Sequence, residues 1–210
     1  MKILSVSDLS LEGVKVVRFQ RFADHRGYFT ETFRKSDFLN NPDTAPILKE
    51  SDFLQFNESF SKKGVMRGLH FQWDPFMGKL VRTVRGHMID LFLDIRIGSP
   101  TYGKIGAYDM MASPELDVNE WIWVPVGFAH GNVFLEDTQI EYFCTAEWAQ
   151  GNEAGISPFA PDIDWSLITS DLKQMIDAVK NATPLLTDKD KDGFTLEQWG
   201  KSVNAQKFKY

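Results

Sequence analysis

Hydrophobic and polar residues alternate along much of the first 150 positions of the chain, and a period of two is typical of β-strands. The clearest run lies within residues 79–97, where isoleucine or leucine occupies every second position from Ile89 to Ile97. The intervening face carries Asp90 and Asp94, so it either faces solvent or lines the inside of a barrel. Gly98 and the residues after it end the run.

Similar β-branched and aromatic runs, separated by turn residues, predict further strands elsewhere. Many short strands at near-regular spacing, with no alternation of strands and helices, indicate an antiparallel sandwich or barrel. These further strands are predicted at residues 14–17, 28–33, 53–57, 104–111, 121–125, 132–135 and 139–146.

Helical patterns are confined to two places. Residues 34–50 are polar and predict a short helix and a loop. Apolar residues recur at helical spacing over residues 163–180, with Ser170 and Asp171 as the expected N-cap and Pro184 beyond the end. We expect a single domain over residues 1–210, with a barrel core at about 14–156 and a helical tail at about 163–210 packed on the same barrel.

Composition narrows the class of protein. A chain of 210 residues with 17 Phe and 6 Trp can fill one large core. The net charge of −6 gives no general attraction to nucleic acid or to anionic membranes, so we expect neither as a partner. An anionic ligand would need a local basic cluster.

Cysteine usage and the N-terminus suggest a compartment. Cys144 is the only cysteine, so no intrachain disulfide can form, which fits a reducing cytoplasm. We expect Cys144 to be a small core residue. The N-terminus has no signal-peptide pattern, and no apolar run is long enough to span a bilayer, so we predict a cytoplasmic protein.

Two metal signals are present but incomplete. The acids from Asp188 to Asp192 resemble the start of a calcium loop, but position 12 is Trp199 instead of a bidentate Glu. The chain has four histidines, and Gln72 stands two residues after His70, so the His-x-His pair of a metal-binding barrel is missing. We therefore predict no metal and no cofactor.

A second group of polar residues lies on or beside strands whose other face is apolar. Arg67 and His70 are three residues apart in the stretch 64–72. Each residue of the group is compatible with a surface position, but inward-facing strands would gather them into a pocket for an anionic substrate and proton transfer. The group consists of Arg26, Glu31, Gln55, Asn57, Arg67, His70, Lys79, Arg82, His130, Tyr142 and Glu147.

Eight motifs containing these residues occur in one order along the chain. They include Asp24-His-Arg-Gly-Tyr-Phe-Thr-Glu31, residues 55–59, 63–72, 79–86, 90–96 and 99–103, Pro125-Val-Gly-Phe-Ala-His-Gly131, and residues 142–147. In this combination the chain resembles the dTDP-4-dehydrorhamnose 3,5-epimerase family, which are cupin-type β-barrels acting on nucleotide-linked 4-keto sugars. The resemblance implies a mainly β fold, a double-stranded antiparallel β-barrel (jelly roll), with a C-terminal helical segment.

The resemblance also implies roles for individual residues. His70 resembles the base that removes a proton beside the C4 ketone, Lys79 the cation at the enolate oxygen, and Tyr142 the acid that returns a proton. Asp190 resembles the carboxylate partner of His70. The positions that resemble contacts to the nucleotide, diphosphate and sugar are Arg26, Phe29, Glu31, Gln55, Asn57, Arg67, His130, Glu147 and Lys189.

The implied function is epimerisation of a nucleotide-diphospho-4-keto-6-deoxy sugar at C3 and C5, for deoxysugar biosynthesis. The implied assembly is a homodimer in which the segment from Arg26 to Glu31 reaches a neighbour's pocket. The chain departs from the family pattern at Asn132, where an aromatic residue is usual, and in a longer segment before Leu186.

Other functions remain open at this point. One is epimerisation at C3 or C5 alone, on a dTDP-, GDP- or CDP-linked sugar. Another is a sugar-nucleotide-binding cupin without turnover, although a binder has no need of His70, Lys79 and Tyr142 together. A metal-dependent cupin oxygenase is disfavoured by the missing His-x-His pair.

Overall fold

The computed structural model describes residues 1–49 and 52–210. The strands are β1 (Ile3–Asp8), β2 (Lys15–Gln20), β3 (Phe22–Asp24), β4 (Gly27–Phe29), β5 (Gln55–Ser61), β6 (Met66–Gln72), β7 (Lys79–Asp94), β8 (Ile105–Ala112), β9 (Val118–Val124), β10 (Phe128–Phe134), β11 (Thr138–Cys144) and β12 (Glu153–Gly155). The helices are α1 (Lys35–Asn40), α2 (Ala45–Lys49), α3 (Ser170–Asn181), α4 (Asp188–Lys191), α5 (Leu196–Gly200) and a 3-10 helix (Val203–Lys207).

Strand β7 organises the sheet because its two halves belong to different layers. Its first half pairs with β9 and β11, and its second half pairs with β8 and β10. The first layer continues through β2 and β1 on one side and β5 on the other, while the second continues through β6 and β12. All these pairings are antiparallel.

Three apolar clusters hold the layers and their coverings together. The interior cluster joins Val81 and Ile122 of the first layer to Phe92 and Phe134 of the second. Burial of such side chains removes apolar surface from water and stabilises the two-layer arrangement.

The outer faces of the two layers are covered differently. The C-terminal segment packs Ile176 and Trp199 against Leu69 and Leu91 of the second layer. Helices α1 and α2 cover the first layer, where Phe38 lies against Trp121. Burial on both faces explains why β7, from Met88 onward, carries Met88 and Phe92 on the face that also holds Asp90, and only isoleucine and leucine on the other.

The predicted mainly β, cupin-type fold is confirmed. The polar face of β7 lines the inside, since Asp90 is fully buried between the layers. The predicted helix at 34–50 forms as the short helices α1 and α2, and Glu50 lies outside the described residues.

Several boundaries predicted from the sequence were wrong: the strand predicted at 53–57 covers Gln55–Ser61, and the one predicted at 132–135 covers Phe128–Phe134. The strand predicted at 28–33 ends at Phe29 in a short hairpin with β3. The helix predicted over 163–180 begins only at Ser170, with Thr169 as the N-cap, because Asp164 pairs with Lys104 in a β-bridge and holds the chain extended there. Within the described ranges, no helix combines the length and the apolar composition of a membrane span.

Candidate active site

Three of the predicted chemical groups come from different strands of the two layers. His70 lies on β6, where its backbone is opposite His130 of β10. Lys79 begins β7 opposite Cys144 of β11. Tyr142 lies two residues before Cys144, and residues two apart on a strand share a face.

These three side chains line two adjoining cavities, of about 280 and 430 Å³. His70, Lys79 and Tyr142 belong to the walls of both, so the two cavities form one cleft around them. The first cavity is also lined by Ser59, Arg67, His130, Asn132, Thr187, Lys189 and Asp190, and the second by Gln55, Asn57, Gln72, Met77, Cys144, Trp148 and Glu153.

His70 is paired with a buried carboxylate. Its Nε2 lies 2.6 Å from Oδ1 of Asp190, and the ring N–H is poorly aligned with that oxygen. The imidazole is one-third exposed, whereas the Asp190 side chain is 5% exposed. Burial works to raise the pKa of Asp190, but the hydrogen bonding and charge of His70 outweigh it and hold this pKa below its ordinary value. A carboxylate in this position orients the imidazole ring.

Local sequence places Asp190 at the first turn of α4. Thr187 is the N-cap, and its hydroxyl accepts a hydrogen bond from the Asp190 backbone N–H at 3.2 Å and donates to Asp190 Oδ2 at 2.9 Å. The Gly68 backbone N–H donates to Asp190 Oδ1 at 3.4 Å. Gly155 leaves room for the imidazole, since a Cβ there would lie 3.1 Å from Cδ2 of His70.

Lys79 is a partly buried amine in the walls of both cavities. Burial lowers the pKa of its ammonium group, and Cys144, Asp90 and Glu153 oppose this effect only in part. A buried ammonium attracts developing negative charge more strongly than one in water, because the surrounding dielectric is low. Lys79 is therefore suited to stabilise an oxyanion formed in the cleft.

Tyr142 keeps its proton over a wide pH range. Burial raises the pKa of its phenol, and Arg67 and a hydrogen bond with Asn57 reduce this effect without reversing it. Asn57 is itself held by Gln55, whose Nε2 donates to Asn57 Oδ1 at 3.0 Å. Cys144 is fully buried, as the sequence predicts, and burial raises the pKa of its thiol, so the uncharged thiol contacts the cleft.

Three further predicted residues lie in the first cavity. Arg67 is fixed by hydrogen bonds from its Nε to the Ser61 hydroxyl at 2.9 Å and from Nη2 to the Phe60 carbonyl at 3.2 Å. Lys189 forms an ion pair with Glu153 at 2.6 Å. His130 is buried against Asp90. The cavity thus carries positive charge near His70, as an anionic ligand requires.

Five predicted residues do not line the cleft of this chain, and one of them, Arg82, pairs with Glu141 of β11 instead. Arg26 pairs with Asp24 in the exposed β3–β4 hairpin, and Phe29 is 65% exposed. Glu31 pairs with Arg34 and the N-terminal ammonium group. Glu147 is exposed, and its backbone carbonyl, not its side chain, accepts a hydrogen bond from Gln72.

Sequence reasoning missed several residues that shape the cleft. Asp90 was assigned only to a polar strand face, and Glu153 was not singled out. Asn132 was noted only as a departure from the family pattern. Their alternation on strands was the available signal, but the side chains that they contact come from distant positions of the chain. Within residues 1–49 and 52–210, no three His, Cys, Asp or Glu side chains gather in a way that could hold a metal ion.

Comparisons with known proteins agree with this geometry. The family model described as dTDP-4-dehydrorhamnose 3,5-epimerase matches residues 8–198. The enzyme of that name from Sinorhizobium fredii is 41% identical over 77% of this chain and 80% of its own.

Two solved structures are similar over nearly the whole chain. The dTDP-6-deoxy-D-glucose-3,5-epimerase of Legionella pneumophila, in complex with dTDP-4-keto-L-rhamnose, is 28% identical with a TM-score of 0.77, covering 98% of each chain. A 3′-monoepimerase from Streptomyces bikiniensis, in complex with dTDP-quinovose, is 27% identical with a TM-score of 0.74, covering 95% of this chain and 94% of its own. With a family model matched over most of its length and a relative of 41% identity, the chain belongs to the dTDP-4-dehydrorhamnose 3,5-epimerase family.

Proposed function

We propose that this protein epimerises a dTDP-linked 4-keto-6-deoxy sugar at C3 and C5, as an isomerase of deoxysugar biosynthesis. The observation that supports this most directly is the cleft in which the His70–Asp190 pair, Lys79 and Tyr142 meet, in a chain of this family. A relative in sequence is named for this reaction, and a similar solved structure of a 3,5-epimerase holds dTDP-4-keto-L-rhamnose.

The chemistry follows from the ketone. A carbonyl at C4 acidifies the hydrogens on C3 and C5, and His70 removes one of them as general base. The electron pair of the broken C–H bond moves onto the C4 oxygen, where the Lys79 ammonium stabilises the enolate. Tyr142 returns a proton to the opposite face of the same carbon, which inverts it. No oxidation state changes, so the residues of the cleft suffice for the step.

We assign the diphosphate to the basic end of the first cavity. Arg67 lies there with its guanidinium held by Ser61, and a planar guanidinium suits the bidentate recognition of phosphate. Gln55 and Asn57 lie in the adjoining cavity, where their amides can bind the substrate's polar groups. The ammonium group of Lys189 forms an ion pair with the Glu153 carboxylate. Lys189 would therefore contact the substrate only after that ion pair is broken.

The remaining predicted contacts support a homodimer. Arg26, Phe29 and Glu31 lie on or just after an exposed hairpin, outside both cavities. We propose that this hairpin completes the nucleotide subsite of a second copy, with Phe29 placed against the base. We also propose that the barrel and the C-terminal segment form one domain, since that segment supplies Asp190 to the site. The proposed compartment is the cytoplasm.

Incubation with dTDP-4-keto-6-deoxyglucose in deuterated water tests the reaction. Deuterium at both C3 and C5, located by NMR, is the expected result. Deuterium at only one carbon would show that the protein is a monoepimerase. The similar structure from Streptomyces bikiniensis is a 3′-monoepimerase, so C3 is the carbon to examine first in that case. No exchange with dTDP-, GDP- and CDP-linked sugars would contradict catalysis and leave a binding protein.

Mixed dimers test the shared site. A His70→Ala variant is combined with an Arg26→Ala/Phe29→Ala variant, and the two are allowed to exchange subunits. Half of the molecules are then mixed dimers with one intact site each, so activity is expected to recover to about a quarter of wild type. No recovery, with mixed dimers demonstrated by native mass spectrometry, would place the whole site within one chain.

A further inference from the structure

Asp90, His130 and Asn132 form a buried polar cluster beside the first cavity. Strands β7 and β10 are antiparallel neighbours in which Asn132 lies directly opposite Asp90. His130 is two residues from Asn132, so all three side chains point to the same face of the layer. Each of them is buried, and Asp90 is completely so.

His130 and Asn132 form hydrogen bonds with the same oxygen of Asp90. His130 Nε2 lies 2.7 Å from Asp90 Oδ2, and Asn132 Nδ2 donates to the same oxygen at 3.0 Å. The Asn132 amide is oriented by a second contact from Nδ2 to the Met88 sulfur at 3.4 Å. Its carbonyl oxygen therefore faces away from the carboxylate, and the amide acts toward Asp90 only as a donor.

This arrangement determines which nitrogen of His130 is protonated. A carboxylate oxygen that already accepts from an amide offers His130 a lone pair, so Nε2 carries the hydrogen of that bond. His130 Nδ1 has no hydrogen-bond partner among the residues that the structure describes. In a neutral ring protonated at Nε2, Nδ1 is an acceptor, and the His130 side chain lines the cavity that also contains His70 and Lys79.

The inference builds on the proposed function, in which this cavity receives a sugar with free hydroxyl groups. We propose that Asn132 is a positioning residue: with Asp90 it fixes His130 as the Nε2–H tautomer, so that Nδ1 accepts a hydrogen bond from a sugar hydroxyl. The role of His130 is then to bind and orient the sugar, while proton transfer at carbon belongs to His70. Phenylalanine at position 132 would have no donor for Asp90.

The tautomer can be observed in the free protein, without any substrate. Long-range proton–nitrogen NMR spectra of protein labelled with ¹⁵N in its histidines separate protonated from unprotonated ring nitrogens. The chain has four histidines, and a His130→Gln variant identifies the signals of His130 by their loss. We expect a protonated Nε2 and an unprotonated Nδ1 near neutral pH. A protonated Nδ1 in the wild-type protein would overturn the proposal, whatever the enzyme's activity.

Substitution of Asn132 gives the second test. Asn132→Leu keeps the shape but removes the donor, and we expect His130 to lose its single tautomer and show partial protonation of Nδ1. KM should rise about tenfold, the loss of one hydrogen bond, while kcat changes less than about threefold. Asn181→Leu, an exposed position at the end of α3, is the matched control and should leave both unchanged.

The possible outcomes distinguish the assignment of the His130 tautomer from the proposed epimerase function. Unchanged His130 signals in a folded Asn132→Leu protein would contradict the role of Asn132. An unfolded variant would leave the wild-type spectrum to decide. The expected spectrum together with no turnover of any keto sugar would contradict the proposed function but keep the assignment of the tautomer.

Discussion

The cleft contains two histidine–carboxylate pairs that are built in different ways. His70 and Asp190 are 120 residues apart, and the carboxylate comes from a short helix of the C-terminal segment that packs on the outside of the second layer. His130 and Asp90 lie on neighbouring strands, with both side chains enclosed between the layers. The contact distances are almost equal, at 2.6 and 2.7 Å.

The two histidine–carboxylate pairs differ in how far they are exposed to the cleft. His70 is one-third exposed to the cleft, so its ring can exchange protons with a substrate and with water. The Nε2 atom of His130 is held by a carboxylate that also accepts from Asn132, and its ring is 8% exposed. The comparison teaches that distance alone does not identify a catalytic pair; access to solvent and the hydrogen-bond partners of the carboxylate do.

Among substitutions of Lys79, Asp190 and Lys189, loss of Lys79 should lower activity most. The Lys79 ammonium also interacts with the charge of Asp90. Lys79→Met removes the cation that we propose for the enolate oxygen and should lower deuterium exchange by about 10²- to 10³-fold. Because burial lowers the pKa of Lys79, the wild-type rate should begin to fall with rising pH below 10.5, the ordinary pKa of lysine, whereas burial raises the pKa of Tyr142 above 10.0. The pH profile of kcat/KM from pH 6 to pH 10.5 measures this alkaline limb, and its presence in Lys79→Met would show that another group causes it.

Asp190→Asn breaks the His70 pair while preserving shape. The neutral amide no longer stabilises the imidazolium that forms when His70 takes the proton, and it orients the ring less firmly, so kcat should fall about 10- to 100-fold. The equivalent change in the buried pair, Asp90→Asn, should act mainly on KM and on thermal stability. Steady-state kinetics and thermal unfolding of the two variants test this difference. Equal losses of kcat in Asp190→Asn and Asp90→Asn would contradict it.

Lys189→Ala should have a smaller effect. Its ion pair with Glu153 connects α4 to β12 beside His70, but Lys189 is 55% exposed, and exposed ion pairs contribute about 0–1 kcal/mol. We expect kcat to fall about two- to fivefold as Asp190 becomes less firmly placed. Lys201→Ala, which removes an exposed ion pair with Glu197, is the control. A loss above about 100-fold would instead make Lys189 a direct substrate contact, as the family resemblance implies.

The smallest expected effect concerns stability in acid. The pKa of Asp190 in the folded protein lies below 3.8, its ordinary value, so the ionised group contributes stability that is present above that value. This contribution is lost as pH falls through the lower pKa of the folded state. The difference in unfolding free energy between wild type and Asp190→Asn, from urea titrations, should therefore shrink below about pH 4. A difference that grows toward pH 3 would have the wrong sign.

Much of the fold could be predicted because burial leaves a periodic trace in the sequence. The alternation around Ile89 and Leu91 gave the central strand, and the apolar spacing after Ser170 gave α3. Boundaries were harder to predict, since they depend on distant partners. Asp164, for example, lies outside the helix because it pairs with Lys104, which no local pattern encodes.

The site could be predicted only through the order of its motifs. His70, Lys79 and Tyr142 were named from the resemblance, and the structure brings them to one cleft. Asn132 was visible only as a departure, because its partner Asp90 lies 42 residues away on another strand. The placement of Arg26 and Phe29 outside the cleft of their own chain fits the resemblance, which implies that this segment reaches a neighbour's pocket. The local pattern alone could not show it, since an exposed hairpin and a strand in the sheet share the same pattern.

One measurement tests the division between the two pairs most directly: deuterium exchange at C3 and C5, at saturating dTDP-4-keto-6-deoxyglucose, for His70→Gln and His130→Gln side by side. We predict that His70→Gln loses exchange by at least about 10³-fold, the range of general base catalysis. His130→Gln should keep exchange within a few-fold once substrate saturates the cleft. Retained exchange in His70→Gln, or its complete loss in a folded His130→Gln, would contradict the account.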